Sequence, residues 1–260
     1  FDHSENVQNY KRVLDISDAI SRTSYSVTNI DFQREPFASF PDQVIVTNLT
    51  ANENGKISCT IELEGAHPTA SSSVENESII MKGQAPALAL RRTIKQVQNW
   101  GQEWMYPELF DENGQPIPDT ETTMYGDKLE GQGTFYEGRV GVVLKGGILE
   151  IEGNKLVITN ADNAKIILSG DTSYNGFDKS PSKEGVDPSI VASANLTKAL
   201  AKSYKALKND HIKDYTELFD RVYFSLGEMT EQSKLPTNKR LELFSQGGDA
   251  SLATLFMQHA

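Results

Sequence analysis

Residues 43–64 read QVIVTNLTANENGKISCTIELE, and this stretch decides the fold class. β-Branched residues are frequent in 43–50, the polar and glycine residues of 52–55 indicate a turn, and 56–64 alternates apolar with polar residues. Alternation with a period of two is typical of strands, because successive side chains point to opposite faces of a sheet. The pattern therefore predicts two strands of an antiparallel meander, joined by a tight turn.

Similar runs lie on both sides of this stretch. Residues 19–27 and 30–35 predict two strands joined by a turn at Thr28 and Asn29. Further strands are predicted at 134–144, 148–151, 156–159 and 164–168. Short strands with tight turns favour a β-sandwich, and strand count alone leaves a closed barrel open.

The last third of the chain is predicted to be helical. Residues 178–187 are rich in Pro, Ser, Gly and Lys and are typical of a linker. Asp187 and Pro188 then suit the cap and first position of a helix, whose apolar spacing continues to Leu207. A second helix is expected after Asn209 and Asp210, and a last one after residue 249.

Composition excludes several classes of function. The chain has 25 Lys and Arg residues against 36 Asp and Glu residues, a net charge of −11 that disfavours nucleic acid as a partner. No apolar run reaches the ~20 residues that span a bilayer. The single Cys59 lies in an alternating run and is predicted to be a buried core residue. The four histidines form no metal motif, and no cofactor motif is present.

The candidate binding residues are Trp100, Trp104 and Tyr125. They lie in 99–130, the longest stretch without clear periodicity, among acidic and turn residues. Long irregular loops in compact domains are usually functional or disordered, and aromatic faces beside polar groups suit sugars. A plain surface loop, with the tryptophans anchoring it to its own sheet, is the alternative. No catalytic residue is assigned.

Landmarks through the whole chain carry a family resemblance. They are YKRVLD at 10–15, SYSV at 24–27, REPFASFPDQVIV at 34–46, TSYNGFDK at 172–179, HIKDY at 211–215, LFDRV at 218–222 and LPTNKRL at 235–241. Together they resemble the N-terminal domain and linker of glycoside hydrolase family 95.

The resemblance implies a mainly β fold with a helical C-terminal part. Residues 1–180 would form an antiparallel β-sandwich of the supersandwich type, incomplete at its start, and 181–235 the linker and its helices. Residues 236–260 would begin the (α/α)6 catalytic barrel. The last helix shows no stop signal before Ala260, which favours a piece of a larger protein.

Characterised members of that family are mainly exo-acting, inverting α-L-fucosidases, with some α-L-galactosidases. Their catalytic residues lie downstream of the matching segments, so the chain is expected to be a non-catalytic part whose partners are the barrel of the same parent chain and, through it, a glycan. The linker helices are expected to pack mainly on that barrel. The resemblance also implies a bacterial protein that is exported, whether periplasmic, cell-surface or extracellular.

The alternative from another class is a free-standing carbohydrate-binding or adhesive β-sandwich module with a helical tail. A complete module should end in a cap or a polar tail. The last predicted helix instead carries Leu252, Leu255 and Phe256 close to the end of the sequence, which favours the enzyme reading.

Overall fold

The computed structural model describes residues 6–126, 129 and 133–259. The strands are β1 Gln8–Asp15, β2 Ile20–Val27, β3 Ile30–Ser39, β4 Val44–Ala51, β5 Ile57–Ile61, β6 Ser71–Glu75, β7 Ser78–Gln84, β8 Leu88–Ala89, β9 Thr123–Met124, β10 Phe135–Lys145, β11 Ile148–Glu152, β12 Lys155–Ala161 and β13 Asn163–Thr172. The helices are α1 Ile94–Asn99, α2 Pro188–Ala201, α3 Tyr204–Phe219, α4 Thr237–Leu243 and α5 Ala250–His259, with 3-10 turns at Glu103–Met105, Gln232–Lys234 and Phe244–Gln246. His3, one of the four histidines, and residues 127, 128 and 130 of the stretch 99–130 lie outside the described residues.

The strands form a large antiparallel sheet, a smaller one and a short ribbon. The large sheet has the order β1-β2-β3-β4-β13-β10-β7-β6, the small sheet β11-β12-β5, and β8 pairs with β9. The predicted turn at Thr28 and Asn29 joins β2 to β3, with both residues at positive φ. The fold class, mainly antiparallel β with helices in the C-terminal part, is confirmed.

The predicted meander ends at β4. The turn after β4 does not make a hairpin, because β4 pairs with β3 and β13 whereas β5 pairs with β12 of the small sheet. Local alternation specifies a strand but not its neighbour, and here burial between two layers determines where β5 lies.

A sandwich core fills the space between the two sheets. Tyr25, Phe32 and Leu49 of the large sheet pack with Ile57 and Ile158 of the small sheet, and the rings of Tyr25 and Phe32 stack at 5.4 Å. Cys59 lies in the same core, so its predicted structural position is confirmed, and burial raises the pKa of its thiol.

The outer face of the large sheet is covered by α2 and α3. Leu196 and Leu207 of these helices pack with Phe37, Val46 and Ile167 of the sheet. The expectation that the linker helices pack mainly on a barrel is therefore wrong for their inward faces. The sheet carries apolar side chains on both faces, and these helices remove its outer face from water.

Helix α2 approaches the sheet closely. A β-carbon at Gly141 of β10 would lie 3.0 Å from Leu200 Cδ1, so the Leu200 side chain would have to shift to admit a larger residue there. The buried hydroxyl of Ser169 donates to the Ala192 carbonyl at 2.7 Å.

The break between α2 and α3 lies at Lys202 and Ser203, not at Asn209 and Asp210 as the sequence suggested. The Ser203 hydroxyl accepts a hydrogen bond from the Ala206 N–H at 3.1 Å and caps α3. Lys165 Nζ of β13 donates to the carbonyl of Leu200 at 3.1 Å and to that of Lys202 at the end of α2. Side chains thus bind backbone groups at both ends of the break, and Asn209 and Asp210 lie inside α3.

A network around Glu35 of β3 holds α3 on the sheet. Its carboxylate accepts hydrogen bonds from Arg22 Nε at 3.0 Å, from the Tyr204 hydroxyl at 2.9 Å and from Lys208 Nζ at 2.9 Å. Burial disfavours the ionised form, but the hydrogen bonds from Lys208 and Tyr204 outweigh it and lower the pKa of Glu35.

This network predicts an acid-sensitive contribution to stability. We expect Glu35→Gln to lower the free energy of unfolding at pH 7 by about 2 kcal/mol, because Lys208 and Arg22 lose a partly buried counter-charge. A lowered pKa stabilises the fold above the unfolded value of about 4.3, and the contribution disappears as pH falls through the folded value. The gap between the wild type and the variant should therefore narrow as the pH falls in urea titrations repeated from pH 7 to pH 3.

The matched control is Glu53→Gln, which removes an exposed carboxylate 3.6 Å from Lys56. Exposed pairs contribute little, so this control should match the wild type throughout. An equal loss in both variants, or a gap for Glu35→Gln that does not narrow between pH 7 and pH 3, would contradict the role of the network.

Candidate functional site

Residues 85–126, which follow β7, form a small folded unit at one end of the large sheet. Val97, Leu109, Phe110 and Met124 are buried together in it, and partly buried side chains pack around them. Thr93 and Gln96 form a reciprocal capping box at the start of α1. The sequence indicated an irregular loop here, whereas the structure has a compact unit. The residues in contact in this unit are not spaced with the period of a helix or a strand.

Trp100 and Trp104 lie on the surface of this unit. Trp100 caps the end of α1 with 55% of its surface exposed, and Trp104 lies in the following 3-10 turn with 79% exposed. The guanidinium of Arg92 lies 4.4 Å above the Trp100 ring centre. Because other residues supply the core of the unit, the structure does not support the alternative in which the tryptophans anchor it.

Tyr125 follows β9 and lies in different surroundings. Its hydroxyl is 3.0 Å from Nδ1 of His67, and the two rings meet edge-on at 6.0 Å. The residue lines a cleft of about 330 Å³. The cleft is lined by Pro68, Thr69, Gln84, Glu121, Thr123, Tyr125 and Gly126. The structure thus places Tyr125 beside His67 and Trp100 beside Arg92.

A second cleft, of about 460 Å³, shares Thr69 and Gln84 with the first. The Thr69 hydroxyl donates to the Gln84 carbonyl at 2.6 Å and accepts from the Gln84 N–H at 3.1 Å. This pair ties the loop before β6 to the end of β7. We call the two adjoining clefts together the Gln84 cleft.

The second part of the Gln84 cleft combines aromatic and polar groups. Phe135 exposes its ring, and the buried carboxylate of Glu137 pairs with Arg139 and with Lys82 at 3.3 Å. The Tyr136 hydroxyl is buried and has no hydrogen-bond partner among the described residues. The Tyr136 ring lies directly over Gly83, where a β-carbon would be 2.3 Å from the hydroxyl oxygen, so only glycine fits.

The chemistry of the Gln84 cleft is that of recognition. Glu137 forms ion pairs with two cationic side chains. Exposed aromatic rings suit the apolar faces of sugars, and the hydroxyl and amide groups beside them suit sugar hydroxyls. Sequence reasoning did not select Thr69, Gln84 or Tyr136, since polar residues at strand ends resemble an ordinary solvent-facing surface. Only the spatial pairing of the loop with β7 identifies them.

Two features are absent from the described part of the chain. No group of three or more His, Cys, Asp or Glu side chains there could hold a metal ion. No helix in these residues is long and apolar enough to cross a membrane.

Comparison with known proteins gives family matches for two segments of the chain. Residues 1–176 match the family described as "Glycosyl hydrolase family 65, N-terminal domain", and residues 203–260 match "Glycosyl hydrolase family 95 catalytic domain". Among curated proteins, the chain is 27% identical over 255 residues to "Alpha-L-fucosidase 2" of Arabidopsis thaliana and 25% identical over 267 residues to "Probable alpha-fucosidase A" of Aspergillus niger.

The alignments cover almost all of this chain but only part of each relative. The alignments cover 96% and 97% of this chain but 28% of each relative. Among solved structures, "Putative kojibiose phosphorylase from human microbiome" is similar with a TM-score of 0.46 and 10% identity, covering 82% of this chain and 25% of that one.

The first family match covers well over half of the residues and includes both sheets. The second includes α3, α4 and α5. The chain therefore belongs to the glycosyl hydrolase family 65 N-terminal domain family, and its last helices lie in the segment that matches the family 95 catalytic domain.

Proposed function

We propose that this chain is the non-catalytic β-sandwich and linker of an exo-acting glycoside hydrolase that removes α-L-fucosyl, or α-L-galactosyl, residues from glycans with inversion. The observation that carries the proposal is the alignment of almost the whole chain with two proteins named as α-fucosidases. In this proposal the sandwich occupies residues 1–180, the linker 181–235, and the start of the (α/α)6 barrel 236–260.

The catalytic pair is proposed to lie in the remainder of the catalytic domain. The chain spans 28% of the length of the curated relatives. Inverting hydrolysis needs an acid and a base on opposite sides of the scissile bond, about 6.5–9.5 Å apart. Glu137, the buried carboxylate of the Gln84 cleft, is held by Lys82 and Arg139 and is not available for either role.

Trp100, Trp104 and Tyr125 are proposed to shape the rim of the glycan site. The first two present exposed indoles on a folded unit, and Tyr125 presents its ring at the Gln84 cleft. A ring held by a rigid scaffold loses little conformational freedom when it stacks on a sugar, so it suits recognition better than a flexible side chain.

The match of residues 203–260 to a catalytic domain argues against the free-standing carbohydrate-binding or adhesive module. Export to the periplasm, cell surface or exterior is proposed with the function, because the proposed substrates would be glycans outside the cytoplasm. The curated relatives come from a plant and a fungus, and the expected bacterial origin stays a prediction.

The first prediction from the proposed function concerns catalysis by the chain itself. The purified 260-residue chain should release no aryl alcohol from an aryl α-L-fucoside, since the proposed acid and base are absent from it. The protein carrying the whole catalytic domain should hydrolyse the same compound and release β-L-fucose first, as proton NMR of the fresh product would show. Turnover by the 260-residue chain that survives repeated purification, or α-L-fucose as the first product, would contradict the proposal.

The second prediction concerns the rim. In the enzyme carrying the whole catalytic domain, Trp100→Ala, Trp104→Ala and Tyr125→Ala should each lower kcat/KM for a fucosylated oligosaccharide by about 5-fold to 10-fold. Removing ~50 Å² of stacked apolar surface costs about 1 kcal/mol at ~25 cal/mol per Å². Melting temperatures should stay near the wild-type value for the two exposed tryptophans.

Tyr223→Ala is the matched control, because this ring is 87% exposed and lies outside the clefts. Its kcat/KM should equal that of the wild type. Tyr125→Phe keeps the ring but loses the contact with His67, so it separates stacking from hydrogen bonding. Unchanged kcat/KM in all three alanine variants would remove these residues from the site.

A further inference from the structure

We propose that the Gln84 cleft binds a neutral oligosaccharide with residues of this chain alone, without any contribution from the remainder of the catalytic domain. The inference rests on the proposed function for the expectation that the ligand is a glycan. Binding by this chain alone and a preference for uncharged sugars go beyond that function. Four features of the cleft support the site: its size, its aromatic walls, its hydrogen-bonding groups and its charge.

The Gln84 cleft is large enough for a short oligosaccharide. Its first part, beside Tyr125, has a volume of about 330 Å³, and its second part, beside Phe135, has a volume of about 460 Å³. Small-molecule sites in proteins commonly have volumes of about 300–1,000 Å³. Each part therefore accommodates a small ligand, and the wall that they share at Thr69 and Gln84 allows one ligand to extend over both.

Each part of the cleft contains an aromatic ring. Tyr125 lines the first part, and Phe135, with 42% of its surface exposed, lines the second. The contact between the Tyr125 hydroxyl and Nδ1 of His67 at 3.0 Å holds the first ring in place. One face of a pyranose ring consists of C–H groups, and covering an aromatic ring with it removes apolar surface from water. Two rings in adjoining parts therefore suit two sugar units of one chain.

The Tyr136 hydroxyl offers a hydrogen bond to such a ligand. Tyr136 lines the second part of the cleft, and its hydroxyl is buried with no hydrogen-bond partner among the described residues. A buried hydroxyl without a partner is costly, because it has lost its hydrogen bonds to water. A sugar hydroxyl can both donate and accept, so it matches the unused donor and acceptor of Tyr136.

Hydrogen bonds fix the walls of the cleft before a ligand binds. In addition to the pair formed by Thr69 and Gln84, the Gln84 side chain donates through Nε2 to the Gly133 carbonyl at 3.0 Å. The Phe135 N–H donates to the hydroxyl of the buried Ser173 at 2.9 Å. These contacts tie together the chain segments on both sides of the cleft. Few additional groups need to be ordered when a ligand binds, which favours affinity.

The charge of the lining favours an uncharged ligand. Three carboxylates line the cleft, those of Glu121, Glu137 and Asp187. Lys82 is the one Lys or Arg side chain among the described lining residues, and its Nζ lies 3.3 Å from the Glu137 carboxylate. An acidic sugar would therefore meet a negative potential and a lysine that is already paired. A neutral oligosaccharide is preferred over one that carries a carboxylate or a sulfate group.

The test is an NMR titration of the 260-residue chain with two sugars, 2′-fucosyllactose and 3′-sialyllactose. Both are trisaccharides built on lactose, but the second carries a carboxylate and the first is neutral. The chain should bind 2′-fucosyllactose at least tenfold more tightly than 3′-sialyllactose, because the carboxylates of the cleft repel the acidic sugar.

Two variants locate the ligand. Phe135→Ala should weaken the binding of 2′-fucosyllactose about fivefold to tenfold, because it removes one of the stacking rings. Tyr136→Phe should weaken binding about fivefold, because it removes one hydrogen bond and keeps the ring. The melting temperature of Tyr136→Phe should not fall, since the lost hydroxyl has no partner among the described residues.

Phe177→Ala is the matched control, because it removes the same type of ring at a position that is 96% exposed and outside both parts of the cleft. Its affinity for 2′-fucosyllactose should equal that of the wild type. Weaker binding in either cleft variant, with an unchanged control, supports the site. No binding of 2′-fucosyllactose, equal binding of 3′-sialyllactose, unchanged affinity in both cleft variants, or an equal loss in the control would overturn the proposal.

These readouts do not depend on hydrolysis. An enzyme with the whole catalytic domain that is inactive on α-L-fucosides would refute the proposed substrate and leave binding by the 260-residue chain intact. An active enzyme whose 260-residue chain binds neither trisaccharide would refute the cleft as a binding site and leave the proposed substrate intact.

Discussion

The ammonium group of Lys165 lies buried beneath the C-terminus of α2, and the position of the helical half of the chain depends on this contact. Burial lowers the pKa of Lys165, because a charge is costly away from water. The carbonyls at the end of a helix carry partial negative charge and lack partners within the helix, so they compensate for that cost. With α2 ended there, Ser203 begins α3, and Tyr204 and Lys208 reach Glu35 on the sheet.

The large sheet separates the stable part of the molecule from the surfaces proposed for binding. Its inner face packs on the small sheet and its outer face on α2 and α3, so both faces are occupied by the chain's own residues. Recognition is left to the edges and ends of the sheet. The Gln84 cleft lies at one end of the sheet, where β7 ends and β10 begins. The centre of the molecule is therefore rigid, and the surfaces proposed for binding lie at its periphery.

The features that could be predicted from the sequence are those that depend on interactions between residues close together in the chain. The strands around Ile20–Val27 and Lys155–Ala161, the cap at Asp187 and the buried Cys59 all depend on alternation or on a single capping side chain. The pairing of strands was harder to predict from the sequence, because β5 joins the small sheet, and not β4, only when the whole sandwich is formed. At the candidate site, composition selected Trp100 and Trp104, but their exposure depends on a small core around Leu109 that has no periodic signal. The polar residues of the Gln84 cleft gave no signal at all.

The pairing of β4 with β13 has a consequence for how the chain is made. Asn48 and Asn163, which hydrogen-bond across this ladder, are 115 positions apart. At about 5–20 residues per second, a ribosome needs on the order of ten seconds to synthesise the intervening chain. During that time β1 to β4 can form their own hairpins, but β4 presents an unpaired edge rich in Val and Ile to every other nascent chain nearby. Yield in the cell should therefore depend on translation speed and on chaperones that cover this edge until β13 emerges.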